Sequence, residues 1–422
     1  MPTKNSFMNP SISTKTLYIS WVLLWLVLPL SDRWTVFMLW LFGMAVVVHV
    51  IANGKIELQH KQFRTALIFF LFLACHILSL AFDNDITLWW KTLEKKSPLL
   101  VIPLIFLFFD QRGIPTEKLA IQGFLAGLTL SGIVMILFAG WRTLKGEGTF
   151  PWTYHELASP FSKGAIYFSW FYASAVIYLL FRPHPFITKK ISIALLIFFL
   201  LVLLLLASKL FILFTLPVAL YKWFSDLPAI KSRKLYKVVI IVLAVTALYP
   251  FVNRMAELSN TRLDVLRQKS FAYDTPLNGL TFRLLQYRFA LEILNQENGY
   301  WTGVGINSKQ KLLDEHYENL GIYTGNPQLG DKGYLGYNFH NQYLETLVGT
   351  GIPGLILLLL IILDIFLFRK GKLLFPLYVY FITVFFFFTE SVLDRQAGIV
   401  FFCLIVFTFS DLYPAQNGSS TQ

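Results

Sequence analysis

The sequence is poor in charge and in cysteine. Only 14% of its 422 residues are charged and 56% are hydrophobic, whereas about 25% of a soluble domain is charged. The two cysteines, Cys75 and Cys403, both lie in apolar stretches, and they offer neither a disulfide framework nor a metal-binding spacing. No His, Cys, Asp or Glu cluster has zinc spacing, and the sequence lacks a P-loop and a dinucleotide fingerprint. These deficits exclude a soluble globule, a coiled coil and a disordered chain, and no sequence feature indicates a metal, a cofactor or ATP hydrolysis.

The sequence contains many long apolar segments. A membrane-spanning helix needs roughly 20 mostly apolar residues. Twelve segments meet or approach this length, so we predict an all-α polytopic membrane protein. The predicted spans are 16–31, 34–52, 65–82, 97–109, 119–140, 164–181, 191–207, 210–221, 238–252, 343–368, 373–388 and 399–412.

The distribution of basic residues predicts the orientation. With the N-terminus in the cytoplasm, the inner connections and the N-terminal segment carry 18 Lys and Arg, and the short outer loops carry 9. Basic residues concentrate in the cytoplasmic loops of membrane proteins. The split therefore predicts a cytoplasmic N-terminus, and it accounts for the formal net charge of +12 without a nucleic-acid partner.

One connection, residues 253–342, is far longer than the others and lies outside the cell membrane in this topology. Loops of this length are usually functional or disordered, and its many aromatic residues favour a folded cap. Apolar residues at helical spacing predict helices within 255–269, 281–294 and 309–320. The predicted divisions are nine spans in 1–252, a large, mostly helical outer loop in 253–342, three spans in 343–415 and a disordered tail in 416–422.

The strongest local signal joins a histidine to an interrupted helix. His340 and Asn341 stand where the outer loop enters a span, and Gly349-Thr350-Gly351-Ile352-Pro353-Gly354 interrupts that span near its start. Irregular backbone at membrane depth is tolerated only where protein or a water-filled cavity covers it. We therefore expect His340 to lie above a cleft, the alternative being a polar interfacial cap beside a kink.

Three basic residues are candidates for binding an anion. Arg283 and Arg288 are five residues apart, so they do not share a helix face and at most one points into any one site. Both could equally be solvated surface charges. Lys209 separates two apolar runs with hardly any loop. A charge at that depth is costly and so indicates function, unless the side chain snorkels to the outer interface.

Further polar groups stand at outer helix ends. Lys95 and Lys96 precede a short span, where two adjacent lysines either flank a helix or support a site. Glu390 ends a very aromatic span and could orient a cation or hold a hydroxyl group.

These motifs resemble those of the O-antigen ligase and polymerase family. His340-Asn341, nine residues and Gly351-Ile352-Pro353-Gly354 are similar to the family signature His-(Asn/Ser/Gln)-x9-Gly-x-x-Gly. The stretch from Arg283 to Arg288 with Gly303-Val304-Gly305 resembles Arg-Leu-x-x-Trp-Arg and Gly-x-Gly, with Tyr287 replacing Trp. Ala207-Ser208-Lys209 resembles a Ser-Arg-Gly motif, with Lys for Arg and Leu210 for Gly, and Thr389-Glu390-Ser391 resembles a Thr-Glu-Ser motif.

The resemblance implies a GT-C-like membrane glycosyltransferase that needs no metal and no cofactor. Its donor would be a glycan on undecaprenyl diphosphate, and its acceptor a hydroxyl of lipid A-core in a ligase or a second lipid-linked glycan in a polymerase. It further implies the inner membrane of a bacterium, with membrane lipids around the spans and the active site on the periplasmic side. The implied roles are His340 as general base, Arg283, Lys209 and, in reserve, Arg288 as diphosphate-binding residues, and Asn341, Glu390, Lys95 and Lys96 as possible supporting residues.

Two alternatives to the ligase remain. A polymerase of O-antigen or of another surface polysaccharide shares the donor chemistry, and the sequence does not separate it from a ligase. A transporter of lipid-linked sugar predicts ionisable residues in mid-span and repeated halves. Every Lys and Arg of this sequence falls in a loop or at a span end, and no hydropathy repeat is present, so the transferase is favoured.

Overall fold

The regular structure of this chain is helical. The computed structural model describes residues 12–52, 58–83, 87–111, 114–161, 163–181, 186–225, 261–272, 275, 277–326, 328, 330–368 and 374–409. Within these ranges there is no strand, which confirms the all-helical prediction. The predicted span 238–252 and the predicted tail 416–422 lie outside the described residues.

The helices follow the apolar segments. They are α1 Ile12–Val27, α2 Asp32–Ala52, α3 His60–Ser79, α4 Thr87–Lys96, α5 Pro98–Phe108, α6 Thr116–Arg142, α7 Tyr154–Leu157, α8 Ala165–Phe181, α9 Lys189–Leu205, α10 Lys209–Ser225, α11 Gly279–Gln296, α12 Ser308–Asn319, α13 Gln342–Phe368, α14 Leu374–Thr389 and α15 Gln396–Thr408. Among the described residues, four helices are long and apolar enough to cross a membrane, namely α2, α3, α6 and α13. Each predicted span apart from 238–252 coincides with a helix, but several are short for a bilayer. The protein is a helical membrane protein, and the count of twelve spans stays a prediction.

Aromatic side chains pack the helices that frame the site. The ring of Trp170 on α8 lies 4.6 Å from that of Phe401 on α15, at 90°, and 5.3 Å from that of Phe386 on α14. All three side chains are buried. Edge-to-face pairs add to the stabilisation from buried area, so these contacts hold together the three helices whose outer ends reach the site.

The outer loop has a hydrophobic core of its own. Phe282, Leu285 and Phe289 of α11 pack in it with Leu313 and Tyr317 of α12. These two helices confirm the predictions for 281–294 and 309–320.

The third helix predicted in this loop, within 255–269, is wrong for its described part. Residues 261–269 hold only the 3-10 turn Asp264–Leu266. Arg262 pairs there with Asp264 at 2.6 Å, two residues away. Residues two apart do not face each other on a helix, so this local pair favours a turn.

A break in α13 joins the outer loop to the membrane helices. Gly351 has φ 71° and ψ −172°, which is not helical. The backbone groups near the break are bonded by the loop, since Val304 N–H donates to Val348 O and Ile352 N–H donates to Tyr300 O, both at 2.8 Å. Gly303 packs directly on this turn, where a Cβ would lie 2.5 Å from the oxygen of Gly349. The predicted interruption of this helix is confirmed, and protein covers the irregular backbone.

Candidate active site

A cavity of about 650 Å³ lies between the outer loop and the outer ends of α2, α8, α14 and α15. Its wall is formed by Asp32 and by residues of the segments 154–167, 277–283, 334–340 and 390–397. In the topology predicted from the sequence, all these segments lie on the outer side. The cavity therefore brings together segments that are far apart in the chain but belong to one face of the protein.

A histidine and a carboxylate form a pair in this wall. Nδ1 of His340 lies 3.2 Å from Oε2 of Glu390. If Nδ1 carries the proton and donates it to the carboxylate, Nε2 is left as a proton acceptor, and no described residue bonds to it. The backbone of His340 has φ 45°, in the left-handed region, and its N–H donates to Oδ1 of Asn338 at 3.1 Å. This strained conformation is stabilised by the Asn338 turn, which fixes the direction of the imidazole.

Glu390 is ionised because positive groups surround it. Burial alone would raise its pKa, but the hydrogen bond and charge of His340, together with the charges of Arg283 and Arg395, lower the pKa below its ordinary value. The carboxylate is therefore available at neutral pH to orient His340 and to stabilise its protonated form.

Arg283 lies in the same wall. Its Nε donates to Thr389 O and its Nη1 to Gly279 O, both at 3.2 Å. The first contact places the guanidinium at the C-terminal end of α14, where a cation stabilises the helix. Both hydrogen bonds are to neutral carbonyls, so the positive charge of Arg283 acts on Glu390 and on the cavity that both residues line.

The comparison with known proteins agrees with this arrangement. Residues 157–359 match the family model described as O-antigen ligase. The match includes His340 and Arg283, while Glu390 follows it in the chain. No curated protein matches the chain.

Arg288 points away from the cavity. Its Nε pairs with Glu292 at 2.8 Å, and its Nη1 donates to Val265 O at 2.9 Å and to Gln268 O at 2.6 Å. These contacts tie α11 to the turn before it. Arg283 and Arg288 thus occupy different faces of α11, and only Arg283 lines the cavity.

Lys209 also lies away from the cavity wall. It is the first residue of α10 and is half-buried. It is not among the residues that line the cavity.

Asn341 has a structural role at the start of α13. Its Oδ1 accepts hydrogen bonds from the N–H groups of Tyr343 and Leu344 at 3.0 and 3.1 Å. This is the N-cap of α13. The cap fixes the residue that directly follows His340.

Lys95 and Lys96 hold the turn after Glu390. Nζ of Lys95 lies 3.3 Å from Oδ1 of Asp394, and Nζ of Lys96 donates to Leu393 O at 2.5 Å. Burial lowers the pKa of Lys96 to about 7 against the opposing charge of Asp394. Neither lysine lines the cavity, so both support its wall from behind.

The buried carboxylate of Glu345 bonds to the residues next to His340 and Glu390. Oε2 of Glu345 accepts hydrogen bonds from Phe339 N–H at 3.3 Å and from Ser391 Oγ at 2.9 Å. Its other oxygen pairs with Lys309, which is also buried. Phe339 precedes His340 and Ser391 follows Glu390, so one carboxylate fixes the backbone next to both catalytic candidates.

Four wall residues were missed as site candidates in the sequence, namely Asp32, Lys163, Tyr167 and Arg395. Arg395 is exposed, and its guanidinium has no hydrogen bond or ion pair with a described residue. Only their location in the sequence could have indicated a role in the site, because each of them stands at or near an outer end of a predicted span. No motif of the O-antigen ligase resemblance includes them.

Proposed function

We propose that the protein is an O-antigen ligase that moves a glycan from undecaprenyl diphosphate to a hydroxyl of lipid A-core. The observation that carries the proposal is the convergence of His340, Glu390 and Arg283 on one cavity next to membrane helices. The family match supports a transferase of this type.

His340 acts as the general base. The acceptor hydroxyl loses its proton to Nε2 of His340 as its oxygen attacks the anomeric carbon of the donor sugar. Histidine suits this step because its ordinary pKa lies near neutral pH. Glu390 is the positioning residue, because its hydrogen bond to Nδ1 selects the tautomer and its charge stabilises the imidazolium that forms.

Arg283 and Arg395 bind the leaving group. The bond from the anomeric carbon to the diphosphate oxygen breaks, and the electron pair leaves with the lipid diphosphate. Fixed guanidinium groups stabilise the charge that grows on that oxygen, so the scheme needs no metal. Because attack and departure are on opposite faces, the anomeric centre inverts. The geometry supports Arg283 and adds Arg395, and gives no comparable support to Lys209 or Arg288.

The site faces the periplasm in this proposal. Every wall segment belongs to a connection that the positive-inside rule assigns to the outer side. A bacterial inner membrane with a cytoplasmic N-terminus then places the cavity where a lipid-linked glycan and lipid A-core can meet.

The direct test offers the purified protein an undecaprenyl-diphosphate glycan with either lipid A-core or a second lipid-linked glycan as acceptor. Transfer to lipid A-core supports the ligase, and transfer to the second lipid-linked unit alone shows a polymerase instead. His340→Ala should abolish transfer, whereas His316→Ala, which changes a histidine outside the cavity wall, should retain it. Normal transfer by a folded His340→Ala variant would refute the base assignment, and loss of transfer in EDTA would refute the metal-free scheme.

A further inference from the structure

Part of the cavity wall has no role in the proposed transfer. Asp32 begins α2, Lys163 precedes α8, and Tyr167 lies in the first turn of α8. Nζ of Lys163 lies 2.8 Å from Oδ1 of Asp32. The Lys163 side chain is 1% exposed and that of Asp32 is 31% exposed, so the carboxylate is the more accessible member of this pair in the cavity wall.

This pair does not suit a phosphate. The charge of Lys163 is neutralised by Asp32, and the exposed partner is an anion, which repels another anion. A carboxylate with free lone pairs instead accepts hydrogen bonds from hydroxyl groups. The chemistry of this part of the wall therefore favours an uncharged ligand that carries hydroxyl groups.

Tyr167 supplies an independent observation. The residue is 7% exposed, and its hydroxyl has no hydrogen-bond partner among the described residues. Buried polar groups are nearly always bonded, and an unbonded one destabilises the protein. Tyr167 lines the same cavity as the His340–Glu390 pair and the Asp32–Lys163 pair. A ligand in the cavity is a source of the missing partner.

We propose that Asp32, Lys163 and Tyr167 form a subsite for an uncharged sugar ring next to the His340–Glu390 pair. The Asp32 carboxylate accepts hydrogen bonds from sugar hydroxyls, Lys163 holds that carboxylate in place through the ion pair, and the Tyr167 hydroxyl bonds to the ring substituents. The subsite rests on the proposed glycan transfer, and its ring belongs either to the acceptor or to the donor glycan.

The test is Tyr167→Phe, with Tyr172→Phe as the matched control on the same helix. The Tyr172 hydroxyl donates to Leu128 O at 2.7 Å and lies 3.0 Å from Ser131 Oγ, and Tyr172 does not line the cavity. Tyr167→Phe removes a hydroxyl that bonds to no described residue, so thermal stability should be unchanged or higher, while Tyr172→Phe should lower it. Sugar binding should weaken about 3- to 10-fold in Tyr167→Phe, the effect of one lost hydrogen bond, and should not change in Tyr172→Phe.

Binding is measured by calorimetry on the full chain in detergent, with two lipid-free probes. One is the oligosaccharide cleaved from lipid A-core and the other is the glycan released from the donor without its diphosphate. Weakening of the first alone assigns the subsite to the acceptor, and weakening of the second alone assigns it to the donor glycan.

The inference is overturned if neither probe binds to the wild type, if Tyr167→Phe binds both probes as the wild type does, or if Tyr172→Phe weakens binding equally. If the wild type binds a probe through Tyr167 but never transfers a glycan, the subsite stands and the proposed ligase activity fails.

Discussion

The pair Arg283→Ala and Arg288→Ala separates a substrate-binding role from a structural one. The two residues lie on the same helix, α11, one turn and a half apart, and they make different contacts. Arg283 contacts two neutral carbonyls and lines the cavity. Arg288 is engaged by Glu292 and by two carbonyls of the preceding turn and is 16% exposed. We expect Arg283→Ala to impair catalysis, and Arg288→Ala to impair stability.

The magnitudes follow from the number and kind of bonds. A hydrogen bond to a charged group contributes about 1.5–3 kcal/mol. If Arg283 makes one such bond to the departing diphosphate, its loss lowers kcat/KM for the donor about 10- to 150-fold. Arg288→Ala removes a helix-surface ion pair and two partly buried hydrogen bonds from a charged group, which by the same measure contribute at least about 3 kcal/mol to the free energy of unfolding.

The assay measures initial rates of glycan transfer at varied donor concentration, normalised to the folded fraction, together with thermal unfolding of each purified variant. Arg283→Lys is the control, because it keeps the charge and loses the forked geometry, and its rate should fall between those of wild type and Arg283→Ala. Equal kcat/KM for Arg283→Ala and Arg288→Ala would refute the assignment of Arg283 to the donor.

Three further predictions follow from the site geometry. Because the pKa of folded Glu390 is lowered, its ionised form stabilises the protein above about pH 4.5, and this contribution is lost as the pH falls through the folded value. Glu390→Gln should therefore lower the melting temperature at pH 7, and the difference from the wild type should shrink as the pH falls below about 4.5; a constant difference would contradict the reasoning. Glu345→Gln should lower kcat with little change in donor KM, because it loosens the segments next to both catalytic candidates, and a change confined to KM would contradict it. Gly303→Ala should lower thermal stability, since its Cβ would lie 2.5 Å from Gly349 O; an unchanged melting temperature would show that the turn can move.

The helices and the break in α13 could be predicted from local sequence. Apolar length determines which segments avoid water, and Gly351 with Pro353 marks where a helix cannot continue. The prediction was wrong in 261–269, where a short-range ion pair competes with helical periodicity. Helix α4 was not predicted, because its ten residues, which end in Lys95 and Lys96, are too few and too polar for a span.

The candidate site could be predicted only in part. His340 and Arg283 lie in motifs, and five-residue spacing alone showed that Arg283 and Arg288 face different directions. The sequence did not show which of the two faces the cavity, because that depends on how α11 packs on the end of α14. Arg395 lies in no motif, and its proximity to His340 arises only when the ends of α14 and α15 meet the outer loop.

What the sequence by itself determined is therefore local: a helical membrane protein, a large outer loop, and a histidine at the start of an interrupted helix. These features depend on hydrophobic length and on backbone geometry, which act over a few turns of chain. Which of these residues contact each other could be seen only in the tertiary structure. The His340–Glu390 pair joins residues 50 positions apart, and the Asp32–Lys163 pair joins two connections on either side of several spans. Such contacts depend on the packing of whole helices, and no short stretch of sequence contains that information.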